Sequence, residues 1–158
     1  MTIAAFRVYA DTSVFGGVFD EEFAEPSRRF FDDVRRGRLT LATSAIVRRE
    51  ADDAPPEVSN LFREMLRFAS VAEVDERVVR LHHAYLTAGI LPPASSDDAL
   101  HVALATVSGC APIVSWNFRH IVHLRKVPMY NGVNEINGYR PIAICSPREV
   151  ITYEDENV

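Results

Sequence analysis

Four polar residues stand at the ends of apolar stretches or at the start of helical ones. Asp11 follows FRVYA, Glu50 lies in TSAIVRREAD, Asp98 opens DALHVALAT, and Asn117 follows PIVSW. Three carboxylates brought within about 4 Å repel by several kcal/mol per pair, so such a cluster requires protons or a cation. Oxygen ligands without Cys or His favour Mg²⁺ or Mn²⁺. If these side chains converge, the chemistry that fits them is metal-assisted phosphodiester hydrolysis, as in a divalent-metal-dependent nuclease.

Each of these residues also has a plain structural interpretation when it is taken alone. Asp11 before Thr-Ser is as typical of a turn or a cap as of a ligand. Glu50 has charged neighbours and suits a solvated helix face. Asp97 and Asp98 both suit the first turn of a helix, where the dipole favours acids. His101 is more typical of a packed or capping histidine than of a general base. The order and placement of the four motifs together, rather than any one of them, indicate chemistry.

Alternating strand-like and helix-like segments must position these residues. We expect strands over 6–10, 39–43, 70–74, 111–115 and 142–144. We expect helices over 26–36, 45–52, 57–68, 75–88 and 97–108, a short helix near 118–124 and a helical turn at 146–150. Loops are expected over 16–25 and 128–141, where glycines and prolines occur. This alternation predicts one α/β domain with a central, mostly parallel sheet flanked by helices.

The composition agrees with a single domain. The chain has 158 residues, of which 47% are hydrophobic and 25% charged, as in soluble globular proteins. No apolar run approaches the roughly 20 residues of a membrane helix, and no basic segment precedes the first apolar stretch as in a signal peptide. We therefore expect a cytoplasmic protein without a membrane partner, with a domain over 1–151 and an acidic tail over 152–158.

The basic residues are nearly all arginines, since Lys126 is the only lysine. Arg48 and Arg49 precede Glu50, and Arg119 and Lys126 follow Asn117 closely. Arginine binds phosphate with two parallel hydrogen bonds, so these residues are candidate contacts to a nucleic-acid backbone. The net charge of −5 argues against a large nonspecific nucleic-acid surface. The alternative is that arginine is simply the preferred surface cation of this chain.

The sequence resembles the PIN-domain ribonucleases, in particular the VapC-like toxins of type II toxin–antitoxin systems. The segments that carry the resemblance are YADTSVFGGVFDEEF, TSAIVRREADDAPPEV, AGILPPASSDDALHVALATV, IVSWNFRHIVHLRKV and SPREV. They extend nearly from end to end, and the last three are the most specific. The resemblance implies a central parallel sheet flanked by helices, Mg²⁺ or Mn²⁺ as cofactor, and RNA as substrate. It also implies a cognate antitoxin as partner and a homodimer.

The resemblance assigns roles by motif. It places the metal-binding and catalytic acids at Asp11, Glu50 and Asp98, with Glu50 as a candidate acceptor of the proton from the attacking water. Thr12 and Ser13 belong to the first motif and are expected to support a ligand carboxylate or a metal-bound water.

Two positions depart from the family pattern. Asp97 is an extra acid beside Asp98, and we expect it only to support the site. Asn117 stands where the family commonly has a fourth acid. An amide oxygen can ligate Mg²⁺ or hold a coordinated water, but it brings no charge. The substitution leaves a second metal ion, and the strength of catalysis, open.

Two functions from different classes fit these residues. The first is a metal-dependent endoribonuclease, the toxin of a toxin–antitoxin pair. The alternative is a non-catalytic PIN-like module that binds RNA or a protein. A phosphatase with Asp11 as nucleophile is disfavoured because residue 13 is Ser, where that chemistry usually has a second acid. No dinucleotide-binding or phosphate-loop motif occurs.

Overall fold

The architecture is a five-stranded parallel sheet flanked by helices, seen in a computed structural model that describes residues 6–152. The strands are Phe6–Ala10 (β1), Leu39–Ser44 (β2), Ala69–Ala72 (β3), Ile113–Val114 (β4) and Ile144–Cys145 (β5). Their order is β3-β2-β1-β4-β5, and every neighbouring pair is parallel. The predicted α/β class is confirmed.

Seven α-helices connect the strands within the described part of the chain. They are Thr12–Gly17 (α1), Ala24–Arg35 (α2), Ala45–Asp52 (α3), Pro56–Met65 (α4), Glu76–Thr87 (α5), Ser96–Val107 (α6) and Val127–Ile136 (α7). Short 3₁₀ turns lie at Leu66–Phe68, Pro93–Ser95 and Pro147–Glu149. None of the helices in residues 6–152 is long and apolar enough to cross a membrane.

The core lies on both faces of the sheet. The central strands are apolar runs, and Val8, Tyr9 and Leu41 are fully buried, as expected when helices cover both faces of a parallel sheet. Helix α6 is apolar on nearly every side, and each residue from Ala99 to Thr106 is buried. A helix with no polar stripe lies inside the domain, and α6 packs against α5.

The strand order reverses at β1. The chain passes from β1 to β2 and β3 on one side of the sheet, while β4 and β5 lie on the other side. In open parallel sheets this reversal opens a crevice beyond the carboxyl ends of the two strands that flank it. Asp11 follows β1 and Ser115 follows β4, so both residues stand at the crevice.

The prediction of a loop over 16–25 is wrong in its first part, because α1 begins directly after Asp11. The Asp11 side chain caps this helix by accepting a hydrogen bond from the Ser13 amide. Gly17 ends the helix where its Cα lies against Trp116 and Ser27, and an added Cβ would stand 2.5 Å from Ser27 Oγ. Gly17 is therefore required by close packing, and the two glycines do not break the helix.

Two predictions after β4 are also wrong. Residues 118–124 form hydrogen-bonded turns rather than a short helix, and 128–141 begins with helix α7 rather than a loop. Pro128 lies in the first turn of α7, where a proline is well tolerated. Tyr130 and Asn134, one turn apart, are fully buried. These two residues anchor α7 against α5 and α6 despite Gly132 in its middle.

The chain end lies mostly outside the described residues. Thr152 is described, and its amide donates to Asp33 Oδ2 at 2.8 Å. The rest of the predicted acidic tail, 153–158, is outside the described range, so the boundary at 151 stays a prediction.

Candidate active site

Asp11 is buried at the switch point and is held by three hydrogen bonds. Its Oδ1 accepts from the Ser13 amide at 3.1 Å and from Ser13 Oγ at 2.5 Å. Its Oδ2 accepts from Ser115 Oγ at 2.6 Å. Only 4% of the residue is exposed. A buried carboxylate with this many donors has a fixed orientation, and the bond from Ser115 ties the end of β1 to the end of β4.

Glu50 reaches the same crevice from the last turn of α3, which Ser44 caps. Its Oε1 accepts from Thr12 Oγ1 at 3.2 Å and is 2.6 Å from His101 Nε2. A carboxylate only accepts, so His101 Nε2 carries the proton. On the other side of the ring, His101 Nδ1 lies 2.7 Å from Tyr9 OH, which in turn contacts Ser44 Oγ at 2.8 Å.

Asp98 stands in the first turn of α6 and faces the turn that follows β4. Its Oδ2 is 2.8 Å from His120 Nδ1. The His120 amide donates to Asn117 Oδ1 at 2.9 Å, and the Asn117 amide donates to Ser115 Oγ at 2.9 Å. The His120 carbonyl accepts from Tyr130 OH at 2.8 Å. Helix α7 thus holds the turn that carries both His120 and Asn117.

Together these contacts form a closed ring of residues, which we call the site circuit. Most of its links are hydrogen bonds, but Asp11 and Thr12 are joined by a peptide bond, and Asp98 and His101 by one turn of α6. It passes through Asp11, Ser115, Asn117, His120, Asp98, His101, Glu50 and Thr12 and returns to Asp11. The circuit joins the end of β1, helix α3, helix α6 and the turn after β4. Four sequence motifs that are distant along the chain are therefore brought together at one edge of the sheet.

The site is electrostatically coupled. Burial raises the pKa of Asp11, and the charge of Glu50 adds to this, although the charge of His101 and the hydroxyls of Ser115 and Ser13 act against it. Burial alone would raise the pKa of Glu50, but the hydrogen bond and charge of His101 outweigh it and the pKa is lowered. Burial alone would lower the pKa of His101, and its bond to Glu50 and the charges of Asp11 and Glu50 raise it.

The predicted metal ligands of the site offer oxygen atoms, which are the ligands that hard cations prefer. Among the described residues, no group of three or more Asp, Glu, His or Cys side chains is arranged so that it could hold a metal ion. The hydrogen bonds to Glu50 and Asp98 from described residues fall on Glu50 Oε1 and Asp98 Oδ2, so each carboxylate presents its other oxygen. Mg²⁺ is commonly held by one or two carboxylates together with water and substrate phosphate. Binding of Mg²⁺ or Mn²⁺ at this site therefore stays a prediction.

Other predicted site residues lie away from the circuit. Asp97 is exposed and forms an ion pair with Arg49 at 3.0 Å, which links α6 to α3. Arg48 and Arg119 are exposed, and Lys126 is half-buried at the start of α7. The RNA-binding role of these basic residues stays a prediction.

Sequence reasoning missed two histidines of the circuit. His101 was expected only to pack or cap, and His120 was not singled out. Both follow a site residue by three positions, Asp98 and Asn117 respectively. On a helix, residues three apart share a face, which is the signal that could have identified His101. His120 lies in a turn, so spacing alone does not find it.

Comparison with known proteins gives a structural match. No protein-family model matches the chain, and no curated protein matches it by sequence. A solved structure, the crystal structure of VapBC2 from Rickettsia felis bound to a DNA fragment from their promoter, matches with a TM-score of 0.53. The match covers 72% of this chain and 90% of that chain at 11% sequence identity. The chain has a PIN-like fold.

At this level of identity the likeness concerns the fold alone. The PIN-like fold explains why the carboxyl ends of β1 and β4 form the crevice at which Asp11 stands. The roles of the individual side chains rest instead on the geometry of the site circuit and on the sequence motifs.

Proposed function

We propose that this chain is a divalent-metal-dependent endoribonuclease. The observation that supports the proposal is the site circuit, in which Asp11 is bonded to Ser115, Glu50 to His101 and Asp98 to His120 in a PIN-like fold. Within residues 6–152, the hydrogen bonds to Glu50 and Asp98 fall on one oxygen of each carboxylate, and the other oxygen is available for a cation or water.

In this proposal Asp11 and Asp98 hold the cation, with Glu50 as a further ligand directly or through water. When bound, Mg²⁺ or Mn²⁺ lowers the pKa of a coordinated water and stabilises charge on the scissile phosphate. Ser13 and Ser115 orient the Asp11 carboxylate. Thr12 and His101 do the same for Glu50.

The electrostatics favour some roles over others. The lowered pKa of Glu50 keeps this side chain ionised, which suits a cation ligand better than an acceptor of the water proton. Asn117 uses its side-chain oxygen to accept from the His120 amide, and in this role it shapes the turn. Asn117 is neutral and stands where the resemblance would give a fourth acid, so the site has one fewer negative charge. This favours a single tightly held metal ion.

The direct test is cleavage of a mixed-sequence, fluorescently labelled single-stranded RNA with Mn²⁺ and with EDTA. We expect Mn²⁺-dependent cleavage, and loss of it in Asp11→Asn and Asp98→Asn. Asp97→Asn is the matched control, because Asp97 is adjacent in sequence but exposed and paired with Arg49. Wild-type rates in Asp11→Asn or Asp98→Asn would contradict the assignment.

Folding of the variants is checked by thermal unfolding. Because burial raises the pKa of Asp11, its charge disfavours the folded metal-free protein at neutral pH. Asp11→Asn is therefore expected to keep or raise the Tm while activity is lost. A variant that loses activity by unfolding would show the opposite change in Tm.

Titration calorimetry with Mn²⁺ distinguishes the proposed nuclease from the alternative, a non-catalytic binding module. Tight Mn²⁺ binding that Asp98→Asn weakens supports the nuclease. RNA binding without Mn²⁺ binding or cleavage favours the module, for which the neutral Asn117 is the supporting observation.

We further propose that the protein acts as a toxin with a cognate antitoxin, and as a homodimer. The support is the sequence resemblance, together with a solved structure of similar fold that contains VapBC2 with promoter DNA. The test is co-expression with the product of a small open reading frame directly upstream. We expect growth arrest by the wild type alone, relief by the second protein, and a complex on gel filtration.

A further inference from the structure

Two histidines stand between the site carboxylates and the body of the protein. His101 is buried, with 3% of its side chain exposed, and 13% of the His120 side chain is exposed. Each is hydrogen-bonded to one carboxylate and to one anchoring element. We propose that His101 and His120 are positioning residues that fix Glu50 and Asp98, respectively, for cation binding. This inference rests on the proposed function and adds two residues to it.

His101 presents a specified nitrogen to Glu50. Its Nε2 lies 2.6 Å from Glu50 Oε1, and its Nδ1 lies 2.7 Å from Tyr9 OH. Tyr9 is fully buried in β1 and contacts Ser44 Oγ, the cap of α3. The imidazole is thus held at both nitrogens, and the Glu50 carboxylate is fixed relative to the central strand of the sheet.

His120 presents the other nitrogen to Asp98. Its Nδ1 lies 2.8 Å from Asp98 Oδ2. Its backbone is held at both ends, by Asn117 Oδ1 at the amide and by Tyr130 OH at the carbonyl. Tyr130 is fully buried and packs edge-on against Tyr85 of α5. Because the His120 backbone is held in place, its imidazole can orient the Asp98 carboxylate.

His101 bonds to its carboxylate through Nε2 and His120 through Nδ1. A different substitution therefore preserves the hydrogen bond at each position. The amide nitrogen of Asn occupies nearly the position of histidine Nδ1, and that of Gln nearly the position of Nε2. His120→Asn should therefore keep the bond to Asp98, and His120→Gln should lose it. For His101 the pattern reverses, with His101→Gln keeping the bond to Glu50 and His101→Asn losing it.

The experiment is titration calorimetry of the full chain with Mn²⁺ alone, for the wild type and all four variants. Partners that orient metal ligands typically change affinity about 10–100-fold when removed. We expect His120→Gln and His101→Asn to weaken Mn²⁺ binding by about that factor. His120→Asn and His101→Gln should stay close to the wild type. RNA cleavage should follow the same order.

Thermal unfolding separates positioning from folding. If the variants of the buried His101 unfold, the His120 pair decides, because this residue lies in a turn near the surface. Equal Mn²⁺ affinity in His120→Asn and His120→Gln would overturn the inference. A wild-type protein that binds no Mn²⁺ would instead overturn the proposed function, so the two failures are distinguishable.

Discussion

Replacing Gly17 with alanine tests how closely α1 is packed against the element that carries the site. The added Cβ would stand 2.5 Å from Ser27 Oγ and 2.7 Å from Trp116 Nε1. These two atoms form a buried hydrogen bond of 2.9 Å, so neither can move without breaking it. Trp116 is further fixed by stacking on Phe23, with ring centroids 4.2 Å apart. The added methyl group would therefore collide with Trp116 and Ser27, and displacing either side chain costs free energy of folding.

Several effects set the magnitude. Overpacking of a well-packed site costs about 1–3 kcal/mol, and separating a buried donor from its acceptor costs about 1–3 kcal/mol more. The better helix propensity of alanine returns about 1 kcal/mol. We expect Gly17→Ala to lower the free energy of unfolding by about 1–5 kcal/mol.

The measurement is urea-induced unfolding of the two alanine variants at neighbouring positions. Gly16→Ala is the matched control, because an added Cβ at Gly16 meets no atom within 4 Å. It should be neutral or stabilising by up to about 1 kcal/mol. Since the Trp116 amide donates to Ser13 Oγ at 2.8 Å, Gly17→Ala should also weaken Mn²⁺ binding. Equal stability of the two variants would refute the packing argument.

Two further predictions concern coupled pairs of residues. Because the pKa of Glu50 is lowered in the fold, its stabilising effect is complete above the ordinary value of 4.5 and is lost as the pH falls through the lowered pKa. Because the pKa of His101 is raised in the fold, its stabilising effect is complete below the ordinary value of 6.5 and is lost as the pH rises through the raised pKa. The free energy of unfolding should therefore be greatest between these limits, and Glu50→Gln should flatten its pH profile in urea titrations; an unchanged profile would contradict the pairing. Tyr85→Phe removes a buried hydroxyl that donates to Asn134 Oδ1, and unfolding should become about 1–3 kcal/mol easier. Tyr139→Phe, at a half-buried position, is the control and should change stability by less than about 0.5 kcal/mol.

The fold was largely predictable because its signals are local. Parallel strands buried on both faces are continuous apolar runs, and β1 and β2 were found where such runs occur. Helix α3 was found from Ser44, whose hydroxyl accepts from the Val47 amide as an N-cap. The missed helices lack these local signals. Helix α1 has two glycines among six residues, and α7 contains Pro128 and Gly132, so packing rather than propensity determines both helices.

The candidate site was predictable only in part, for a related reason. Asp11 and Asp98 stand at the ends of recognisable elements, so the sequence indicates their positions. Their hydrogen-bonding partners do not follow from local pattern. His120 is 22 positions from Asp98, and Ser115 is 104 positions from Asp11. Which serine or histidine reaches a carboxylate depends on the strand order, and this is a property of the whole fold.

The site circuit has a consequence for when the site comes into existence during synthesis. Chains emerge from the ribosome N-terminus first, and domains generally fold as units. A nascent chain that ends before residue 115 already carries Asp11, Glu50 and Asp98 but lacks every residue that closes the circuit on the β4 side. Because His120 is itself held by Tyr130, closure waits until α7 is available as well. The three acids are therefore synthesised early, and a chain that ends before Tyr130 lacks the residue that holds the β4 side of the site circuit.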